Sequence, residues 1–246
     1  MNILITGGSR GIGRATALLA GQEGWNVGIN YVRDAAAANA TVEDVQRAGG
    51  TAVQLKYDIT KEQDVKDMFQ HTEDHFGAAL DGVVINAGVN APSMPLVSMT
   101  AERLRHVFDT NIMGAYLCAR EAARRLLESN QDNRSIVLVS SMAAKLGSPN
   151  EYVDYAGSKA ATDTLTIGLA KELGPKGIRV NGVRPGLINT DIHAVSGDPD
   201  RAERLGKMAP LGRPGEASEV AEAIVWLLSD KSSYVTGAIL DVSGGR

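Results

Sequence analysis

A single cysteine, Cys118, excludes an intramolecular disulfide and fits a reducing compartment. It lies in the apolar pattern Tyr116-Leu117-Cys118-Ala119, where a buried structural thiol is expected and a nucleophile is not. The four histidines are scattered, and no Cys or His pair stands at ligand spacing, so no metal site is expected. A net charge of −4 gives no basic excess, which argues against a nucleic-acid partner. No apolar run approaches the roughly 20 residues that a membrane helix needs, so no membrane partner is expected either. The first apolar run follows Met1-Asn2 directly; no signal peptide is expected, and the cytoplasm is the expected compartment. Internal repeats, low-complexity tracts and linkers are all missing. The 246 residues therefore read as one domain, 1–246.

What is present is a regular alternation of short apolar runs and helical patterns. Strands are expected at Ile3–Ile5, Trp25–Tyr31, Thr51–Tyr57, Leu80–Ile85, Ile136–Val139, Arg179–Val183 and Ala238–Val242. Helices are expected from Arg14, over Ala35–Ala48, and from a Thr60 N-cap (with Gln63 completing a capping box) to Phe76. Others run from Thr100 through Asn111 to Leu127, over Tyr152–Leu173 and over Glu216–Leu228. The run Val83-Val84-Ile85 lacks alternation, the mark of a strand covered on both faces. The fold class is α/β: a single-domain Rossmann fold with a doubly wound, mostly parallel seven-stranded sheet and helices on both faces. In such sheets ligands bind beyond the carboxyl ends of the strands, so the post-strand segments should converge on one edge.

The first of those segments is Thr6-Gly7-Gly8-Ser9-Arg10-Gly11-Ile12-Gly13. Strand, glycine turn and helix in that order leave free backbone N–H groups at the positive end of a helix dipole, a ready anion site. A Cβ there would block both the turn and the close approach of a pyrophosphate.

Tyr155 and Lys159 stand at i and i+4 of an expected helix, on one face. A phenol is a poor acid or base at neutral pH, and a neighbouring ammonium lowers its pKa. Ser141 follows strand five where this helix should begin, and its hydroxyl could bind the oxygen that Tyr155 protonates. Ser140 is the competing choice, with its neighbour then structural. Tyr152 is a rival tyrosine, but Ala156 and not a lysine stands four residues on, which favours Tyr155. No Gly-x-Ser-x-Gly elbow surrounds either serine, which argues against a hydrolase.

Taken together, these motifs resemble the short-chain dehydrogenase/reductase family over the whole chain. Thr6 to Gly13 matches its cofactor loop; Asn86-Ala87-Gly88 matches its strand-four motif, with Ile85 where a second Asn is usual. Asn111, Ser141, Tyr155 and Lys159 fall where its catalytic tetrad lies. The one departure is that Ser141 is fourteen residues before Tyr155, one more than the commoner spacing; the extra residue is expected to be absorbed in the loop 144–152.

The resemblance implies that Tyr155 is the general acid in reduction and the base in oxidation. Lys159 would lower the Tyr155 pKa and bind the nicotinamide ribose, Ser141 would polarise the carbonyl, and Asn111 would hold a proton-relaying water. Gly7, Ser9, Arg10, Gly11, Ile12 and Gly13 would hold the pyrophosphate side of the cofactor. Asp58 and Ile59 would border the adenine, Asn86, Ala87 and Gly88 the middle, and Pro185, Gly186, Ile188 and Thr190 the carboxamide. The implied alternative to an enzyme is a non-catalytic NADP-binding redox sensor; the complete tetrad favours the enzyme.

The end of strand two offers Asn30 or Tyr31 to the adenosine ribose, both uncharged. With Arg10 and Arg33 nearby, the site suits a 2′-phosphate, and NADP is favoured over NAD. Asp34 is the counter-evidence. Residues 191–215 are expected to form a substrate lid, polar through Asp191, His193, Ser196, Asp198 and Arg201; residues 91–96 and 144–152 form the other walls. The most similar family members are 3-oxoacyl-carrier-protein reductases and glucose-1-dehydrogenase-like enzymes. The polar lid favours a small polar or sugar-like carbonyl. A carrier-protein partner would call for a basic surface, which Arg103, Arg105, Arg120, Arg124 and Arg125 could supply. A homotetramer is implied by the family.

Overall fold

The computed structural model describes residues 1–191, 197–198 and 200–246. Its strands are β1 (Asn2–Ile5), β2 (Asn26–Tyr31), β3 (Thr51–Lys56), β4 (Gly82–Ile85), β5 (Arg134–Val139), β6 (Ile178–Pro185), β7 (Ile188–Asn189), β8 (Gly215–Glu216) and β9 (Ile239–Val242). Seven of them form one sheet in the order β3-β2-β1-β4-β5-β6-β9, and every pairing is parallel. β1 and β4 are buried along their whole length, whereas β3 alternates between buried and exposed. This is the contrast expected between strands under helices on both faces and a strand at an edge.

The helices are α1 (Gly11–Gln22), α2 (Ala35–Arg47), α3 (Glu62–Phe76), α4 (Ala101–Phe108), α5 (Ala115–Glu128), α6 (Ala143–Leu146), α7 (Val153–Leu173), α8 (Arg201–Gly206) and α9 (Ala217–Leu228). Phe69 of α3, Leu126 of α5 and Leu173 of α7 pack with Leu4, Val83 and Leu138 on one face of the sheet. Ala17 of α1, Val45 of α2 and Ile224 of α9 pack with Ile3, Val84 and Val137 on the other. Alternate residues of each central strand thus feed two cores. The chain leaves β1 toward β2 and returns to β4 on its other side, which opens a crevice at the carboxyl ends of β1 and β4. Cys118 is fully buried, and burial pushes its thiol up to about 12, the inert thiol expected.

Three local expectations differ from what is found. Thr60 is not a helix cap: its N–H and hydroxyl both donate to Asp58 Oδ1, at 3.0 and 2.8 Å, and α3 starts two residues later. The long helix from Thr100 is interrupted by a π-helical turn, Asp109–Gly114, between α4 and α5. The turn is anchored at Gly114, where a Cβ would lie 2.8 Å from Ile59. Finally, the irregular segment 191–215 contains α8, and its end pairs β8 with β7.

One side chain of β6 closes the far end of the fold. Arg179 donates to the carbonyls of Leu227, Leu228, Ser229 and Ser232, to Ser232 Oγ and to Asn133 Oδ1. It thereby satisfies carbonyls that the C-terminus of α9 leaves without helical partners. Arg179→Ala should lower unfolding free energy by about 2–4 kcal/mol, with an unchanged denaturant slope; an unaltered urea midpoint would contradict this role.

Candidate active site

The carboxyl edge is assembled by side chains that bond across strands. Thr6 Oγ1 accepts from the N–H groups of both Asn86 and Ala87 at 3.0 Å. Asn86 Nδ2 donates back to the carbonyls of Thr6 and Gly7, each at 3.0 Å. Gly7 adopts φ +63° and Gly11 φ +53°, and a Cβ on Gly13 would sit 2.3 Å from the Gly7 carbonyl oxygen. Glycine is therefore required at 13 so that α1 can pass beneath the loop. Ser9 is buried, and its carbonyl accepts from Thr41 Oγ1; Ile12 packs at the margin of the core.

At the N-terminus of α1, Arg10 gives no side-chain cap, and the first turn carries no acid. The first N–H groups of the helix are thus left for an external anion. A Cβ on Gly11 would lie 3.4 Å from Thr190, which places the segment after β6 across the loop. Gly186 lies against the Ser243 backbone and donates to the Val242 carbonyl; Pro185 ends β6 and Ile188 is buried.

Asn30 does not face outward to a ribose. It is buried, with Oδ1 accepting from Gly7 N–H and Nδ2 donating to the Leu55 and Tyr57 carbonyls. Both amide hydrogens and the oxygen serve the protein, so Asn30 braces the glycine loop. Tyr31 is buried beside it, while Arg10 and Arg33 are exposed with no ion pair among the described residues. Asp34 is the N-cap of α2, its Oδ1 accepting from Ala37 N–H at 2.9 Å. Asp58 is likewise engaged with Thr60, and the Ile59 side chain is buried against Gly114.

Deeper in the crevice, the two serines separate cleanly. Ser140 is buried and donates to the Lys159 carbonyl at 3.1 Å. Ser141 is half-buried; its hydroxyl accepts from the Ala143 N–H at 3.1 Å and stays near enough to the Tyr155 phenol to draw its pKa downward, despite the extra residue in the intervening loop. The loop takes up that residue with α6 and with left-handed Ser148 and Asn150, φ 42° and 63°. Lys159 is buried; its ammonium donates to the Val139 carbonyl at 2.8 Å and lies 5.7 Å from the Tyr155 ring centroid. A Cβ on Gly88 would stand 3.3 Å from both Lys159 Nζ and Asn111 Oδ1, so glycine keeps the space above them open. Asn111, in the π-turn, exchanges hydrogen bonds with the Val89 N–H and carbonyl and donates to Ser158 Oγ.

Burial governs the charges. It pushes the Tyr155 phenol up to about 12, against a smaller pull downward from Ser141. It pushes the Lys159 ammonium down to about 8, against the attraction of Asp163. The expected lowering of the phenol by Lys159 is thus not the balance found. With the ammonium bonded to Val139, desolvation outweighs the Coulombic effect of the lysine.

The chain matches a family model described as "Enoyl-(Acyl carrier protein) reductase" over residues 7–246. It is 50% identical over 244 residues to "Uncharacterized oxidoreductase YgfF" of Escherichia coli (strain K12), covering 99% of this chain and 98% of that protein. A solved short-chain type dehydrogenase/reductase from Mycobacterium marinum superposes with TM-score 0.91 at 32% identity, covering 99% of this chain and 94% of that one. A 3-ketoacyl-(acyl-carrier-protein) reductase from Brucella melitensis, solved with NADH, gives 0.90 at 30%, covering 99% and 97%.

The chain belongs to the short-chain dehydrogenase/reductase family.

As a short-chain dehydrogenase/reductase it is an oxidoreductase, and its tetrad positions are gathered in one crevice. Sequence reasoning missed the braces of that crevice. Thr6 and Asn30 had visible signals, a hydroxyl before the first glycine and an amide ending an apolar strand, but not their partners. Ser158, joining Asn111 to the Tyr155 carbonyl, looked like one small residue among several.

The basic surface expected of Arg103, Arg105, Arg120, Arg124 and Arg125 is mostly neutralised. Arg103 forms a buried pair with Asp154; Arg120 pairs with Glu62, Arg124 with Glu121, and Arg125 with Glu73 and Glu121. Of the lid residues, Asp198 pairs with Arg204 and Arg201 with Glu151, while His193 and Ser196 lie outside the described residues. Among the described residues no cluster of His, Cys, Asp and Glu forms a metal site, and no helix is long and apolar enough to cross a membrane.

The two serines predict opposite phenotypes. Ser140→Ala should cost about 1 kcal/mol of stability by removing a buried donor from the Lys159 carbonyl, and Ser141→Ala should cost less. Urea melts showing the reverse order would contradict the division of roles.

Proposed function

We propose that this protein is an NADP(H)-dependent carbonyl reductase and secondary-alcohol dehydrogenase. The observation that carries the reading is the buried Lys159 ammonium 5.7 Å from the Tyr155 ring centroid, with Ser141 near enough to draw the phenol pKa downward. The protein fits a dinucleotide: an uncapped helix N-terminus faces a glycine loop, and Gly88 leaves open the space over Lys159 and Asn111. When bound, the nicotinamide supplies or accepts the hydride.

Ser141 binds and polarises the substrate carbonyl. Tyr155, a phenol that is protonated at neutral pH and that desolvation pushes further up, gives its proton to the developing alkoxide. Lys159 in its charged form stabilises the phenolate left behind, and its two unused N–H donors are available to ribose hydroxyls. The Asn111 carboxamide fixes the π-turn, and the spare Oδ1 lone pair is the place for a water that restores the proton. In oxidation Tyr155 works in reverse, as the base.

Arg10 and Arg33 bind the 2′-phosphate. Both are exposed guanidiniums without a described carboxylate partner, and Asp34 turns one oxygen to the Ala37 N–H as the N-cap of α2. The described residues 200–215, which include α8, cover the substrate. With four of the five candidate arginines already paired, a small polar or sugar-like carbonyl is preferred to a carrier-bound 3-oxoacyl thioester. Exposed Phe108, Met113 and Tyr116 in and beside the π-turn, and Trp226, Tyr234 and Leu240 near the C-terminus, support a homotetramer. Cytoplasmic location follows from the same reading.

A carbonyl panel run with NADPH and with NADH tests the assignment; oxidation of neither cofactor by any carbonyl would overturn it. Arg10→Ala and Arg33→Ala should each weaken NADPH binding about tenfold while leaving NADH within about twofold. Equal losses would contradict the 2′-phosphate role. Because the reductive step uses the Lys159 ammonium, kcat/KM for reduction should be flat below about pH 8 and fall as pH rises through it. In Lys159→Met that limb should be absent; a limb that persists there belongs to another group.

A further inference from the structure

Three walls of the crevice meet at Glu151 and Tyr152, immediately before the helix that carries Tyr155. The Tyr152 carbonyl accepts from Ala156 N–H at 2.8 Å in the first turn of α7. The Glu151 carbonyl accepts from Met94 N–H at 3.0 Å, which docks the segment after β4. From the third wall Arg201, first residue of α8, places both terminal guanidinium nitrogens on the Glu151 carboxylate at 3.0 and 2.6 Å. The same guanidinium lies 5.0 Å over the Tyr152 ring, a cation–π contact made with a side chain only 9% exposed.

Tyr152 is held from several sides, is 4% exposed, and its hydroxyl has no hydrogen-bond partner among the described residues. The two other buried polar atoms in that condition, Arg134 Nε and Asp163 Oδ1, belong to groups whose remaining atoms are bonded. Tyr152 alone among them keeps its whole polar end unpaired. An orphaned buried hydroxyl is destabilising, and a phenylalanine would fill the same space without that cost. The loop leading to it also carries two non-glycine residues in the left-handed region and the extra residue between Ser141 and Tyr155. Tyr152 precedes Tyr155 by three residues, about one helical turn or 5 Å along the axis. The Arg201 charge is matched by Glu151, whose carboxyl Arg201 holds below its ordinary range, so the clamp calls for no anion.

We propose that Tyr152 is a specificity-determining substrate ligand, set by the Glu151–Arg201 clamp to hydrogen-bond a neutral oxygen, a hydroxyl or second carbonyl, borne next to the reacting carbonyl. This rests on the carbonyl-reductase reading and narrows its substrate class to hydroxyketones and dicarbonyls.

The test compares wild type and Tyr152→Phe on paired ketones of one carbon skeleton, with and without a hydroxyl on the adjacent carbon, using NADPH. Wild type should prefer the hydroxyketone, and the variant should lose about tenfold of that preference, chiefly through KM. Its Tm should be unchanged or raised, since the hydroxyl bonds nothing among the described residues. Equal losses on both ketones, no loss on either, no preference in wild type, or a Tm several degrees lower would each overturn the proposal while leaving the carbonyl-reductase reading intact. A wild type inert toward every carbonyl would overturn both.

Discussion

The amide of Asn86 holds the carbonyls of Thr6 and Gly7 together, and the functional edge of the molecule is registered on that join. It fixes the end of β1 to the end of β4 at the point where strand order reverses. Thr6 Oγ1 returns two hydrogen bonds to the same segment, and Asn30 props the loop from the other side. Only with the loop so placed can Gly13 slide under the Gly7 carbonyl and bring the free N–H groups of α1 to the crevice. Thr6 and Asn30 are buried, Asn86 is half-buried and all three are bonded, so loosening one leaves others unsatisfied. The loop is therefore rigid without covalent help.

The second half of the crevice follows the same logic with charge. Lys159 is anchored through its ammonium to Val139 and through its carbonyl to Ser140, so the lysine and Tyr155 ride on a helix pinned at the end of β5. Burial then drives both groups toward their neutral forms, the phenol upward and the ammonium downward. A protonated phenol beside a serine donor is the state that reduction of a carbonyl begins from. The buried Arg103–Asp154 pair, with Arg103 also donating to the Pro92 carbonyl, ties α4 and the wall after β4 to the same helix turn. The arginine suspected of recruiting a partner protein is one of the struts of the site.

The parts of this arrangement legible in the sequence were those governed by local rules. Glycines at 7, 11 and 13 announce a backbone that no side chain permits, and Tyr155 and Lys159 announce themselves by a one-turn spacing. The unbroken apolar run of β4 marks a central strand. What stayed hidden depends on distant partners. Nothing local to Asn30 shows that Leu55 and Tyr57 claim its amide, so the sequence offers it to the ribose on equal terms with Tyr31. The π-turn at 109–114 escaped because its residues continue a helical pattern, and the widening is set by the contact of Gly114 with Ile59. Thr60 looked like a cap until Asp58 was seen to take its donors. Spacing puts Tyr155 and Lys159 near one another but says nothing of the burial that acts on both.

The central claim is that the gathered tetrad performs proton transfer and that the crevice is more than a dinucleotide cradle. The most direct measurement follows NADPH binding and NADPH oxidation in parallel for wild type and Tyr155→Phe. The account predicts an NADPH Kd within about threefold in the two proteins and a loss of about a thousandfold or more in kcat with the best carbonyl. Turnover by Tyr155→Phe within tenfold of wild type, at unchanged Kd, would contradict it.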